Sequence, residues 1–140
     1  MTRYLLAILA CLALTSCGKP SAPTNIAVSA QGIRLASFKV EAGEVTDEQL
    51  RTGLQSAAEV LSVICAETRK THAQLKGHLR GTFHIEPDGT VRMFSESGSE
   101  ITPQEAKTVS GDFVGATFGR KWKFPQVGSD LLLTVDYEIE

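Results

Sequence analysis

The stretch from Gly77 to Glu86 alternates with period two: Leu79, Gly81, Phe83 and Ile85 fall on one face, and His78, Arg80, Thr82, His84 and Glu86 on the other. Such alternation describes a strand with one buried and one solvated face. Pro87-Asp88-Gly89 follows at once. Proline presets φ, aspartate bonds its own turn and glycine accepts positive φ, so the chain is expected to reverse into a second strand over Val91 to Ser95. A hairpin with one apolar face needs a cover, and the flanking sequence must supply it.

Two helical patterns do so. Thr46-Asp47-Glu48-Gln49 has the form of a capping box, with the Thr46 hydroxyl and the Gln49 side chain each satisfying the other's backbone N–H. Leu50, Leu54, Ala57, Leu61, Ile64 and Thr68 then recur at steps of three and four, with Ala58 and Cys65 beside them, which draws one apolar stripe. Gly53 costs that helix about 1 kcal/mol relative to alanine and is easiest to place near an end. Thr102-Pro103-Gln104-Glu105 reads as a second capping box, followed by Ala106, Val109, Phe113 and Ala116 at helical steps. Gly111, Gly115 and Gly119 lie four apart, which marks this second helix as soft or ending early.

Leu131, Leu133, Val135, Tyr137 and Ile139 alternate with polar or half-polar positions and close the chain as a strand with one buried face. Ile33 to Val40 gives a weaker strand signal. Ile33, Leu35 and Ser37 share one alternation and Phe38 and Val40 the other, so the segment reads as an edge strand or no element. The economical architecture is α+β, with two helices packed on a small antiparallel sheet in the order (β)-α-β-β-α-β.

The N-terminal segment has a different character. One cation, Arg3, precedes an apolar run from Tyr4 to Leu14. At about ten residues this has the length of a secretion-signal core and is too short to span a bilayer. It ends in Leu14-Thr15-Ser16-Cys17, which resembles the lipobox of bacterial lipoproteins. That resemblance implies cleavage after Ser16, so that residues 1–16 are a signal peptide, and lipidation of Cys17, anchoring the chain to a membrane. Lys19 differs from the Asp that resembles an inner-membrane retention signal, so an outer-membrane destination facing the periplasm is favoured. Residues 17–32 mix Pro, Ser, Ala and Gly and read as a lipidated tether of about 20 Å root-mean-square span. The folded domain is then expected over residues 33–140. Cys11 leaves with the signal and Cys17 is blocked by lipid, so Cys65 becomes a lone thiol, either buried or intermolecular.

The string from Leu75 to Val91, then Ser97, then Trp122-Lys123-Phe124-Pro125, then Val135-Asp136-Tyr137, resembles the C-terminal domain of the AgmX/PglI proteins, a TonB-like group. The resemblance covers about residues 43–140. It implies a TonB C-terminal-like fold and capture of an extended envelope protein or peptide by strand addition. The strand Leu131 to Ile139 is the expected edge, with Leu131, Leu133, Val135 and Tyr137 as its partner-binding positions, although Asp136, Glu138 and Glu140 are suited to guarding an edge instead. Val114 stands where such domains often carry a second cysteine. The inner-membrane helix and Pro-rich spacer of force-transducing members are absent from the sequence. The alternative is a structural or accessory lipoprotein subunit of an envelope transport or motility assembly.

Catalytic chemistry finds little support. His78 and His84 are six apart on one strand, about 20 Å along it, too far to share a metal. Cys65 and His72 are two helical turns apart, and no phosphate loop, zinc-ligand spacing or nucleophile elbow is present. The chain is therefore read as a non-enzyme with no cofactor, metal or small-molecule substrate. With 14 Lys+Arg against 16 Asp+Glu, a net charge of −2 also argues against nucleic acid. In Arg120-Lys121-Trp122-Lys123-Phe124 the rings are expected to cap the core while the cations point to water, with anionic lipid or glycan as the competing partner chemistry.

Overall fold

The computed structural model describes residues 26–140. Within them the architecture is α+β: two helices cover one face of a six-stranded antiparallel sheet. The strands are β1 (Ser29–Ala30), β2 (Ile33–Ala42), β3 (Lys76–Ile85), β4 (Val91–Glu96), β5 (Glu100–Thr102) and β6 (Leu131–Ile139). The helices are α1 (Asp47–Arg69) and α2 (Thr108–Phe118). Spatial order is β1-β2-β6-β3-β4, with β5 on the same side of β3 as β4.

The expected hairpin forms in the expected register. Gly81 to Ile85 pair with Glu96 to Val91, and the Asp88 carboxylate accepts the Thr90 N–H at 2.9 Å, closing the turn. Leu79, Gly81, Phe83 and Ile85 are buried, as the alternation required. Gly89 has φ +90, and a β-carbon there would stand 2.1 Å from the Phe124 carbonyl oxygen. The Phe124 N–H donates back to the Gly89 carbonyl at 2.9 Å, and the Val127 and Gly128 N–H groups donate to the Pro87 carbonyl. The turn is thus the anchorage of the long segment that joins α2 to β6.

Three departures from the sequence reading have local causes. Residues 26–32 are not tether: Ile26 and Val28 are buried, and Ser29 and Ala30 pair with Arg34 and Ile33. The broken alternation in β2 is a β-bulge. Register on β6 shifts between Leu35 and Ser37, so one extra residue restores phase and Ile33, Leu35, Phe38 and Val40 all turn to the helix side. The second capping box does not form. Thr102 ends β5 and its hydroxyl donates to the Lys76 carbonyl, so Gln104–Lys107 winds as a 3-10 turn before α2 begins without a side-chain cap. The first capping box is present in both directions.

The core lies between the sheet and the helices. From α1 it takes Leu50, Leu54, Ala57, Ala58, Leu61 and Cys65, and from α2 Val109 and Phe113. The Tyr137 hydroxyl, fully buried, donates to the Leu54 carbonyl at 2.9 Å and ties β6 to α1. Phe83, Phe94, Phe113, Trp122 and Phe124 form one aromatic cluster, with Phe94 and Phe113 edge to face at 5.2 Å. Trp122 and Phe124 are buried and Arg120, Lys121 and Lys123 exposed, the arrangement expected of that segment.

Candidate functional site

The expected partner-binding strand is not an edge. β6 pairs with β2 along one side, from Ile139 opposite Ile33 to Leu132 opposite Ala42, and with β3 along the other, from Ile139 opposite Gly77 to Leu131 opposite Ile85. Leu131, Leu133, Val135 and Tyr137 are buried beneath the helices. With both ladders filled, no backbone group of that strand is left for a guest, and strand addition there is ruled out. Period two had reported which faces β6 turns inward; it carries nothing about which strands lie beside it. Its acidic residues do not guard an edge either. Asp136 and Glu138 reach across to partners on neighbouring strands. Cys17 lies outside the described residues.

The open edges are elsewhere. β1 covers only Ile33 and Arg34 of β2, with one further bond from the Leu35 N–H to the Val28 carbonyl. From Ala36 to Ala42 the outer side of β2 has no strand partner among the described residues. A groove of about 580 Å³ opens there, lined by residues 26–29 and 34–38. β4 and β5, both shorter, make the other edge, with β4 lying beside α2.

The sheet face opposite the helices is polar and uncovered by any described element. On it the Asp136 carboxylate accepts from His78 Nδ1 at 2.7 Å and from Arg80 Nε at 3.0 Å. Burial alone would raise this carboxyl, but the hydrogen bonds and charges of Arg80 and His78 outweigh it and hold Asp136 below the ordinary carboxylate value. Arg80 also donates to the Gly98 carbonyl, its guanidinium lies 3.7 Å from Glu100, and its own basicity is raised chiefly by the Asp136 bond. Thr82 and Thr134 share a hydroxyl bond at 3.1 Å, and Arg34 pairs with Glu138. A second groove of about 430 Å³ lies over this face, and it meets the first at Ser37 and Phe38. Reading His78 as a free polar-face residue missed its partner, because the Asp136 that meets it is 58 positions away in sequence.

This network fixes the His78, Arg80 and Asp136 side chains relative to one another across β3 and β6. Ser99, beside Arg80, is engaged with the backbone N–H and carbonyl of that residue, and the Thr82 and Thr134 hydroxyls are bonded to each other. Among the described residues no group of three or more His, Cys, Asp or Glu side chains could hold a metal, and no helix is long and apolar enough to cross a membrane. Cys65 is fully buried, and burial, opposed in part by the charge of Arg69, pushes its thiol up to about 11. It therefore stays protonated, the opposite of an activated nucleophile. No family model, no curated protein and no solved structure matches this chain.

Proposed function

We propose that the chain is an exported, lipid-anchored envelope module of TonB-like, AgmX/PglI-like type, which binds an extended protein or peptide segment by strand addition along the outer side of β2, not β6. The observation that carries this reading is the unfilled side of β2 from Ala36 to Ala42, which continues the track on which β1 already lies. A guest strand there would gain main-chain hydrogen bonds from a strand whose other side is fixed to β6, and side-chain contacts in the groove beside residues 34–38. Register shifts between Leu35 and Ser37 and between Val40 and Ala42 twist this edge. They make it a poor template for flat self-pairing, while a guest able to follow the bulges is accepted.

The test is photo-crosslinking in cells from Ser37, Lys39 and Glu41, with Glu59 and Glu67 on the exposed side of α1 as controls. One envelope protein trapped at the β2 positions alone is the expected result. Equal trapping from both sets, or none from a folded and correctly localised chain, would remove strand addition and leave a structural or accessory lipoprotein subunit.

A further inference from the structure

We infer that the C-terminal corner of α2 is a contact surface for an anionic phospholipid bilayer. Phe118, the last residue of α2, is 60% exposed, the most exposed aromatic side chain among the described residues. Arg120, Lys121 and Lys123 follow it and are all exposed, and among the described residues none of them makes an ion pair. Asp88, whose carboxylate feels Lys123, is engaged by the Thr90 N–H. An exposed ring beside three cations, of which Lys123 is partly offset by Asp88, is the chemistry that inserts at the headgroup level while meeting lipid phosphates.

The backbone shows that Arg120 stands where folding favours another residue. α2 ends in a Schellman motif: the Lys121 N–H donates to the Ala116 carbonyl, and Arg120 takes φ 55. Glycine is the usual residue at that position because it alone adopts positive φ without a steric cost. Gly119, one residue earlier, sits at φ −73 and does not use that freedom. Arg120 thus occupies a position where glycine would serve stability better.

Chain direction supports the same orientation, a step that rests on the anchor at Cys17 proposed above. β1 runs antiparallel to β2, so from Ala30 back to Ile26 the chain heads toward the end of the sheet that holds Ala42, Leu131 and Ile85. The hairpin turn and the segment bonded to it, which follows Arg120–Lys123, lie at that end. Residues 18–25 can extend about 28 Å, and five strand positions from β1 to β4 span about 19 Å, so the tether reaches the bilayer with this corner down. Glu41, Glu44, Asp47 and Glu48 belong to the β2 and α1 side of the same end, while Glu86 and Asp88 lie in the hairpin turn beside the cations; contact is made by the α2 corner, with the β2 and α1 side tilted away.

The test uses the chain from Gly18, without leader or lipid; its residues 26–140 hold every element and the whole core cluster. It is sedimented with phosphatidylcholine vesicles with and without phosphatidylglycerol. Binding is expected only with the anionic lipid and is expected to weaken with salt. Arg120→Gly should lower the partition coefficient about fivefold while raising the thermal midpoint, a combination no folding defect produces. Phe118→Ala should lower it about tenfold, and R120G/K121Q/K123Q about a hundredfold. No binding to anionic vesicles, equal binding to neutral ones, or wild-type binding by the triple variant would overturn the inference, as would sedimentation with insoluble cell-wall glycan but not with vesicles. Because this sample carries no lipid, its failure leaves the anchor at Cys17 standing, and failure of the anchor is read separately in cells.

Discussion

The ring of Phe124 lies on the bare Cα of Gly53, where a β-carbon would stand 2.4 Å from three ring atoms. Gly53 is buried in the second turn of α1, inside the helix where its propensity cost is felt. Gly53→Ala is therefore expected to destabilise the fold even though it returns about 1 kcal/mol of helix propensity. Displacing a fully buried ring costs about 1 to 3 kcal/mol, so after the regained propensity the net loss should be up to about 2 kcal/mol by urea unfolding. Phe124→Leu in the Gly53→Ala background should cost less than it does alone. A stabilised Gly53→Ala variant would contradict the packing.

Tyr137→Phe removes the bond to the Leu54 carbonyl and leaves the ring in place. The loss is expected to be about 1 kcal/mol, measured as a shift in urea midpoint without a change in slope. The same burial raises the phenol pKa in the fold above its ordinary value. The stabilisation is then complete below the unfolded value of about 10 and is lost as pH rises beyond it. The phenylalanine variant should show a shallower alkaline limb.

The faces of the strands were legible in sequence, and their neighbours were not. Period two placed Leu79 to Ile85 and Leu131 to Ile139 correctly against the core, because alternation is a local property of a pleated chain. Lateral order is decided by pairings such as Ile33 with Ile139, and these span most of the domain. A single bulge disguised β2, since one inserted residue moves Phe38 and Val40 onto the opposite parity from Leu35. Ile26 and Val28 were too few to register as part of the core, and Thr102 carried the signature of a helix cap while serving β5. In the polar network each member looked like an ordinary solvated residue, because what links His78, Arg80 and Asp136 is cross-strand register alone.

Asp136 makes the fold sensitive to acid. Its carboxyl is held below the ordinary value in the fold by Arg80 and His78, although burial opposes them. Its contribution is therefore complete above the unfolded value of about 3.9 and is lost as pH falls through the folded one. Asp136→Asn should be less stable than the parent at pH 6 and lose less on acidification, so that the two unfolding midpoints converge toward low pH. Parallel curves would show that the carboxylate is not coupled to folding.

Cys17→Ala tests the anchor. Two or three acyl chains hold a protein to a membrane where one does not, so the substitution is expected to move the chain from the membrane to the soluble fraction on cell fractionation. Incorporation of labelled fatty acid should be lost with it. Retention of label would place the lipid elsewhere.

Cys65 should be chemically silent in the folded chain. The side chain is buried against the sheet-facing side of α1. Burial raises its thiol from 9.0 to about 11, although Arg69 pulls the other way. Thiolate is the reacting species, so at pH 8 both access and ionisation oppose alkylation. Labelling by a small maleimide is expected only through unfolding, with a rate that rises in proportion to the unfolded population as urea is added. That behaviour is incompatible with an inter-chain disulfide, for which the sulfur would have to meet a second chain. A disulfide-linked dimer on non-reducing electrophoresis of freshly prepared native protein would show instead that α1 opens from the sheet in the cell. Cys65→Ala separates the two further: it should leave the oligomeric state unchanged while costing about 1 kcal/mol in stability through the lost packing of one sulfur.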